Sequence, residues 1–203
     1  MAKLYSYVVE HDRGHAPNPF FGACSLCRCK YRDCPDKPPN VVELAKRGEW
    51  VVGTGGENRK RSAGHGRIIY AMRVDNKLSR QQYWSDSRSR KKRPTTNGPY
   101  NDTLGDNVRP RDPFEKHQQF ALISHHFFYF GGNAIPYPKR RFPNLEKRGP
   151  GFRKDFGEEY VARFVKWLES ETGCKPGKHG EPCMKDLEVS SKRRNKNVCK
   201  SSC

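Results

Sequence analysis

Acidic residues are scarce in this chain, and apolar ones are few. Asp and Glu number 22 against 40 Lys and Arg, which leaves a formal net charge of +18 over 203 residues. A surface this positive repels itself unless something acidic covers it, so nucleic acid is the leading partner. A ribosome-associated or membrane-surface role carries the same charge signature. The hydrophobic fraction is only 33%, which implies a modest core and long loops. No apolar run approaches the ~20 residues that a bilayer-spanning helix needs, so no membrane span is expected. The opening MAKLYSYVVEHD lacks the apolar segment of a secretion signal, and the expected location is the cytoplasm. Internal repeats are missing, and so is the strict βαβ alternation of a Rossmann fold. The GxSxG, HExxH, kinase and P-loop patterns are absent as well.

Cysteine, by contrast, is present in quantity. Eight cysteines in an intracellular chain point to thiols or zinc rather than to a disulfide framework. They fall into two groups. Cys174, Cys183, Cys199 and Cys203 lie in a polar, basic tail, spaced C-x8-C, fifteen residues, then C-x3-C. A four-thiolate structural zinc site tolerates varied spans between ligand pairs, and a coreless tail gains order from it. His179 is an alternative ligand there. The second candidate cluster, Cys24, Cys27, Cys29 and Cys34, is denser, and its C-x-C step is cramped for one ion; a site shared between the clusters is a third arrangement. His179-Gly180-Glu181-Pro182-Cys183 has the look of a deaminase zinc motif. It lacks the second cysteine and the separation that such a pocket needs, so deamination is not expected.

Residues 48–74 organise the chain. GEWVVGTGG and RIIYAMRV are two β-branched, aromatic runs joined by ENRKRSAGHG, which predicts strand, charged loop, strand. Residues 4–9 (LYSYVV) predict a buried first strand, followed by a rigid loop around Pro17-Asn18-Pro19. A helical turn is expected near residues 42–47. Another short helix is expected over 78–86, with Ser79 as N-cap and Gln82 at the capping-box position. FALISHHFFYF, residues 120–130, reads as one buried strand. The longest helix follows, with Asp155 as cap and Tyr160, Val161, Phe164, Val165 and Leu168 at helical spacing, closed by Gly173. These elements predict an α+β domain on a small mixed sheet or barrel over 1–173, with a basic Cys-rich tail over 174–203.

Five motifs, in order, carry a family resemblance. They are LYSYVV with its APNPFFGACSLCRCK loop, GEWVVGTGG…GRIIYAMRV, KLSRQQYW, LGDN and ALISHHFFYFGG. Over roughly residues 3–170 the chain resembles the second type of nucleotide-modification-associated domain, a family of bacteria and phages whose genes lie near those for DNA base hypermodification. The central hairpin is also similar to PUA-like barrels, including EVE and ASCH domains, in which a pocket holds a modified or flipped base. The resemblance implies a PUA-like barrel with short helices and a C-terminal helix, and a protein of a base-modification or phage-defence system. RDCPDKPPN and everything after Gly173 stand outside the family pattern. His125-His126 stands where an acidic residue is expected nearby.

The candidate site residues follow from both readings. Asn18, Phe20, Thr54, Gly55, Gly56, Tyr70, Asn107, Ser124 and Tyr129 are nucleotide-binding candidates, combining glycine backbone approach, amide edges and stacking rings. Arg59, Lys60, Arg61, Arg67, Arg88, Arg90, Lys91, Lys92 and Arg93, with Lys139, Arg140 and Arg141, are phosphate candidates. If the protein is an enzyme acting on the base, such as a transferase, glycosylase or hydrolase, Asp106 and His126 are its acid–base candidates. Alternation along a strand would put Ser124 and His126 on one face and His125 on the other. The expected partner is DNA or a nucleotide, with RNA or the ribosome as the alternative; zinc is the expected cofactor. Oligomeric state is not legible.

Overall fold

The computed structural model describes residues 3–27, 39–92 and 120–184. In order they form β1 (Leu4–Val9), β2 (Cys24–Leu26), α1 (Val41–Leu44), β3 (Trp50–Gly55), α2 (Arg59–Ser62), β4 (Arg67–Arg73), β5 (Asn76–Ser79) and α3 (Arg80–Ser85). A 3₁₀ turn over Ser87–Lys92 follows, then β6 (Phe120–Ser124), β7 (Phe127–Tyr129), β8 (Ile135–Pro136), β9 (Phe152–Arg153), α4 (Glu158–Lys166) and β10 (Gly177–Lys178).

The expected strand–loop–strand is an antiparallel hairpin of β3 and β4, with a register shift between Gly53 and Thr54. It forms the centre of a seven-stranded sheet ordered β10-β7-β4-β3-β1-β9, with β8 also on β4. β1 lies parallel to β3 from Leu4↔Trp50 to Val9↔Gly55. The second sheet is β2-β6-β5, antiparallel throughout.

Alternation along the central strands feeds two cores. Tyr5, Tyr7, Val9, Val51 and Met72 face Leu26, Leu122 and Cys24 of the small sheet, with Val41 and Val42 of α1. Leu4, Trp50, Val52, Ala71 and Phe128 face the other way, onto Val161, Phe164 and Leu168. Each such side chain taken out of water contributes about 1.5–3 kcal/mol, so the period-2 pattern fixes which layer covers which face.

Several expectations hold. Ser79 caps α3 and Gln82 closes the capping box, each side chain bonding the other's backbone N–H. Gly173 takes φ +70 just past the last helical residues, where a left-handed glycine ends a helix.

Others are corrected. Residues 120–130 are two strands in two sheets. Ser124 Oγ accepts the His126 N–H at 3.1 Å and donates to the His126 carbonyl at 2.8 Å, while Asp75 takes the His125 N–H at 2.6 Å. These bonds turn the chain, so strand alternation does not carry through the histidines. The α4 N-cap is Gly157 with no side-chain cap, not Asp155; Phe156 stacks on Tyr160 with centroids 4.8 Å apart, holding the entry extended two residues longer. β9 and β10 end the large sheet's order, so the described strands leave it open where a closed barrel was expected.

The first part of the tail, finally, packs on the core. β10 pairs in parallel with β7, His179 N–H donates to the Tyr129 carbonyl at 2.7 Å, and the His179 ring stacks on Phe130 at 5.4 Å.

Candidate functional site

A row of aromatic side chains crosses the large sheet. Tyr7, Gly53, Tyr70 and Tyr129 are successive register partners. Gly53 has no side chain, so the Tyr70 ring lies over it and the Tyr70 hydroxyl reaches that of Tyr7 at 2.7 Å. At the row's end the Tyr129 hydroxyl donates to Asp12 Oδ1 at 2.6 Å, and the Cys183 N–H donates to Oδ2 at 3.1 Å. Asp12 is buried. Burial raises its pKa above the ordinary value of 3.8, against the opposing pull of these hydrogen bonds. Burial, then the charge of Asp12, holds the Tyr129 hydroxyl well above its usual range. The same two causes push the Cys183 thiol up to about 12, which disfavours a free thiolate nucleophile there. Asp12 lies between LYSYVV and APNPFF within the family motif, and it was not among the sequence's site candidates.

This row is a core device rather than a base pocket. Tyr70 and Tyr129 are fully buried, which leaves neither ring a face for a base. The Thr54 hydroxyl donates to the Tyr7 carbonyl at 3.2 Å, and the Gly56 N–H donates to Ser62 Oγ at 3.0 Å. A Cβ at Gly55 would run into the Gly64 and Ser62 carbonyls. The glycines therefore admit the chain's own α2 turn, not a phosphate.

A different place is open. Between the outer face of the small sheet and α3 lies a cleft lined by Ala23, Ser25, Leu78, Tyr83, Asp86, Arg88, Ser89, Lys92, Ile123 and His125. Ser25 and Ile123 are directly paired across β2 and β6, so their side chains share this face. Leu78, Ile123 and the Tyr83 ring give it apolar walls, and the Ser89 hydroxyl, bonded to the Tyr83 carbonyl, ties the 3₁₀ turn to α3. The space it encloses is small, about 30 Å³, and the rest of the cleft is an open mouth.

Lys92 builds the base of this cleft. It is expected from sequence to meet phosphate, but it is 3% exposed. Its ammonium donates to the Asn18 carbonyl at 2.9 Å, the Ala23 carbonyl at 2.7 Å and Ser25 Oγ at 2.9 Å. Three donors meet three acceptors, so it serves as a structural clamp. Asn18 also exchanges both backbone hydrogen bonds with Ser25, at 2.8 and 2.9 Å. Its Oδ1 accepts the Phe20 N–H at 3.2 Å, while the buried Nδ2 has no hydrogen-bond partner among the described residues. Flipping the amide would set two donors against each other, so this orientation is the one the geometry favours.

The remaining candidates are dispersed. Arg90 and Lys91 are exposed on the 3₁₀ turn beside the cleft, and Arg88 chelates Asp86, its Nη2 at 2.6 Å from Oδ2. Arg59, Lys60 and Arg61 are exposed on α2, next to the end of β1, where Asp12 N–H meets the Arg61 carbonyl at 2.8 Å. Arg67 donates to the Ala134 carbonyl at 2.6 Å, and Arg141 is paired with Glu171. His126 stands on the α4 side, 2.7 Å from Glu169 Oε1 and edge-on to Trp50, so it takes no part in the cleft. Ser124 is consumed by its turn.

Cys24 and Cys27 are buried, and Cys174 Sγ contacts the Thr172 carbonyl at 3.6 Å. No three His, Cys, Asp or Glu side chains gather as a metal site among the described residues. Arg93, Asp106, Asn107, Cys29, Cys34, Cys199 and Cys203 lie outside the described residues.

A second groove, about 500 Å³, runs along α4 between Trp50, Val161, Ala162 and Val165. Its edge carries Glu158 and Glu169 against Lys166 alone, a balance that repels phosphate. The two openings thus differ in charge.

Residues 1–120 match the family described as nucleotide modification associated domain 2. The chain belongs to that family. No curated protein and no solved structure matches it. The match ends where β6 begins, short of the residues 3–170 over which the motifs resemble the family. Within it fall all the cleft's lining residues except Ile123 and His125. Sequence reasoning missed Ser25, Tyr83 and Ile123; only the position of Tyr83 on the capped KLSRQQYW helix hinted at a role. Among the described residues no helix is long and apolar enough to cross a membrane.

Proposed function

We propose that this protein is a DNA-binding module of a base-modification system, seating one nucleobase at the open mouth of the cleft between the small sheet and α3. The observation that carries this is the cleft itself. Half-buried Leu78 and Ile123, backed by the buried Tyr83 ring, sit beside exposed His125, next to a turn bearing exposed Arg90 and Lys91. A ring rests on Leu78 and Ile123 at the mouth, and the turn's cations hold the flanking phosphates. The chain's net charge of +18 and its family support a nucleic-acid partner. A binding role is favoured over catalysis because His126, the candidate acid–base residue among the described residues, is turned to Glu169 on the far side of the large sheet. The proposal does not require the PUA-like barrel that the resemblance implies.

The test is fluorescence anisotropy with labelled duplex and single-stranded oligonucleotides between 50 and 200 mM salt, on the order of the range over which counterion release is measured. Affinity is expected to fall linearly on a log–log plot. The Arg90→Ala/Lys91→Ala double variant is expected to make the slope shallower by about 1.4–1.8, the contribution of two lost phosphate contacts. A salt-independent affinity, or an unchanged slope in the double variant, would overturn the assignment.

A further inference from the structure

Phe21 is the exposed large hydrophobic side chain among the described residues, at 47%. A single exposed aromatic is ordinary by itself. Its backbone is not ordinary: φ is +60, the left-handed region that a bulky residue rarely adopts. Gly22, with φ +81, is the neighbour for which such a conformation costs nothing. A bulky ring kept in strained backbone and in water suggests a use for the ring.

The loop that carries it is stiff. Asn18 and Ser25 close its base with paired backbone hydrogen bonds, and the Lys92 ammonium joins the carbonyls of Asn18 and Ala23. Phe20 anchors the inner side, its ring under the Lys178 ammonium at 5.1 Å and 6.4 Å from the Phe21 ring. Phe21 is thus presented from a fixed base, two residues before Ala23, which lines the cleft. The nearby exposed cations, Arg90 and Lys91, immediately precede the clamping Lys92.

Building on the proposed function, we infer that Phe21 is a stacking wedge: its ring packs on the DNA base next to the one seated at the cleft's mouth, filling the gap left in the stack. Aromatic side chains stack on any base face, which suits a role independent of sequence. An inserted apolar side chain also offsets the unstacking that extrusion of a base requires.

The experiment uses Phe21→Gly and Phe21→Tyr in the full chain, with a duplex carrying 2-aminopurine beside a mismatched pair. Glycine suits φ +60, so Phe21→Gly is expected to keep or raise the thermal midpoint while weakening binding about 5- to 100-fold, the usual span for one lost stack. It should also abolish the 2-aminopurine signal change seen with wild type. Phe21→Tyr is expected to retain both. If Phe21→Gly binds and reports like wild type, or unfolds at lower temperature, the wedge is refuted and the cleft assignment stands. If wild type itself shows no salt-dependent binding, the proposed function falls and the wedge with it.

Discussion

Replacing Lys92 with methionine is expected to destabilise the fold by about 3 kcal/mol and to remove DNA binding at the cleft. Methionine matches the length of the side chain but leaves the Asn18 and Ala23 carbonyls and Ser25 Oγ without their charged donor. Hydrogen bonds to a charged group contribute about 1.5–3 kcal/mol each, and stripping donors from buried acceptors adds desolvation cost. The Asn18 carbonyl keeps its bond from Ser25 N–H, which holds the total below the sum of three. For a chain of this size, about 3 kcal/mol corresponds to a fall of roughly 6–12 °C in thermal midpoint. Lys92→Arg offers no rescue, because a planar fork cannot reproduce the three directions of an ammonium. A Lys92→Met variant as stable as wild type in thermal denaturation would mean the buried amine is not a clamp.

Gly53→Val is expected to be at least as damaging, by roughly 3 kcal/mol or more. An added Cβ would lie 2.7 Å from Val9 Cγ2 and closer still to the Tyr70 ring. Overpacking of this kind costs about 1–3 kcal/mol. Displacing Tyr70 also breaks its bond to the Tyr7 hydroxyl, which is worth about 1 kcal/mol more. The cause is checked by a double-mutant cycle. Shortening the ring in Gly53→Ala/Tyr70→Leu should recover part of the loss of Gly53→Ala, giving a coupling of about 1 kcal/mol or more between the two sites. Purely additive losses in urea denaturation would show that the ring and the glycine do not meet.

The central hairpin, the first strand and the capped α3 were legible in the sequence because each rests on a local signal. Those signals are β-branched runs ended by glycine and the Ser79–Gln82 pair. What was not legible is what non-local contacts decide. The break at Ser124 turns on a carboxylate far away in sequence, Asp75, accepting the His125 N–H. Residues 177–184 have a tail's composition, yet the edge of β7 and the Asp12 carboxylate give them partners.

The site was legible in kind but not in place. The basic turn at Arg90 and Lys91 and the loop at Asn18 and Phe20 were singled out from charge and from proline spacing. Tyr70 and Tyr129 were singled out as stacking rings, and the structure buries both. No charge or period marks Ser25 and Ile123 as facing outward, because only the pairing of β2 with β6 puts them on one wall. Lys92 shows the limit most clearly: one residue of a like-charge run points inward, and composition cannot single it out.

The most direct test of the cleft is photo-cross-linking of the full chain to DNA carrying 5-iododeoxyuridine at the extruded position, with the linked peptide read by mass spectrometry. The cleft assignment predicts attachment at His125, on the cleft's exposed rim. Attachment confined to the groove along α4, at Trp50 or residues 158–170, would contradict it.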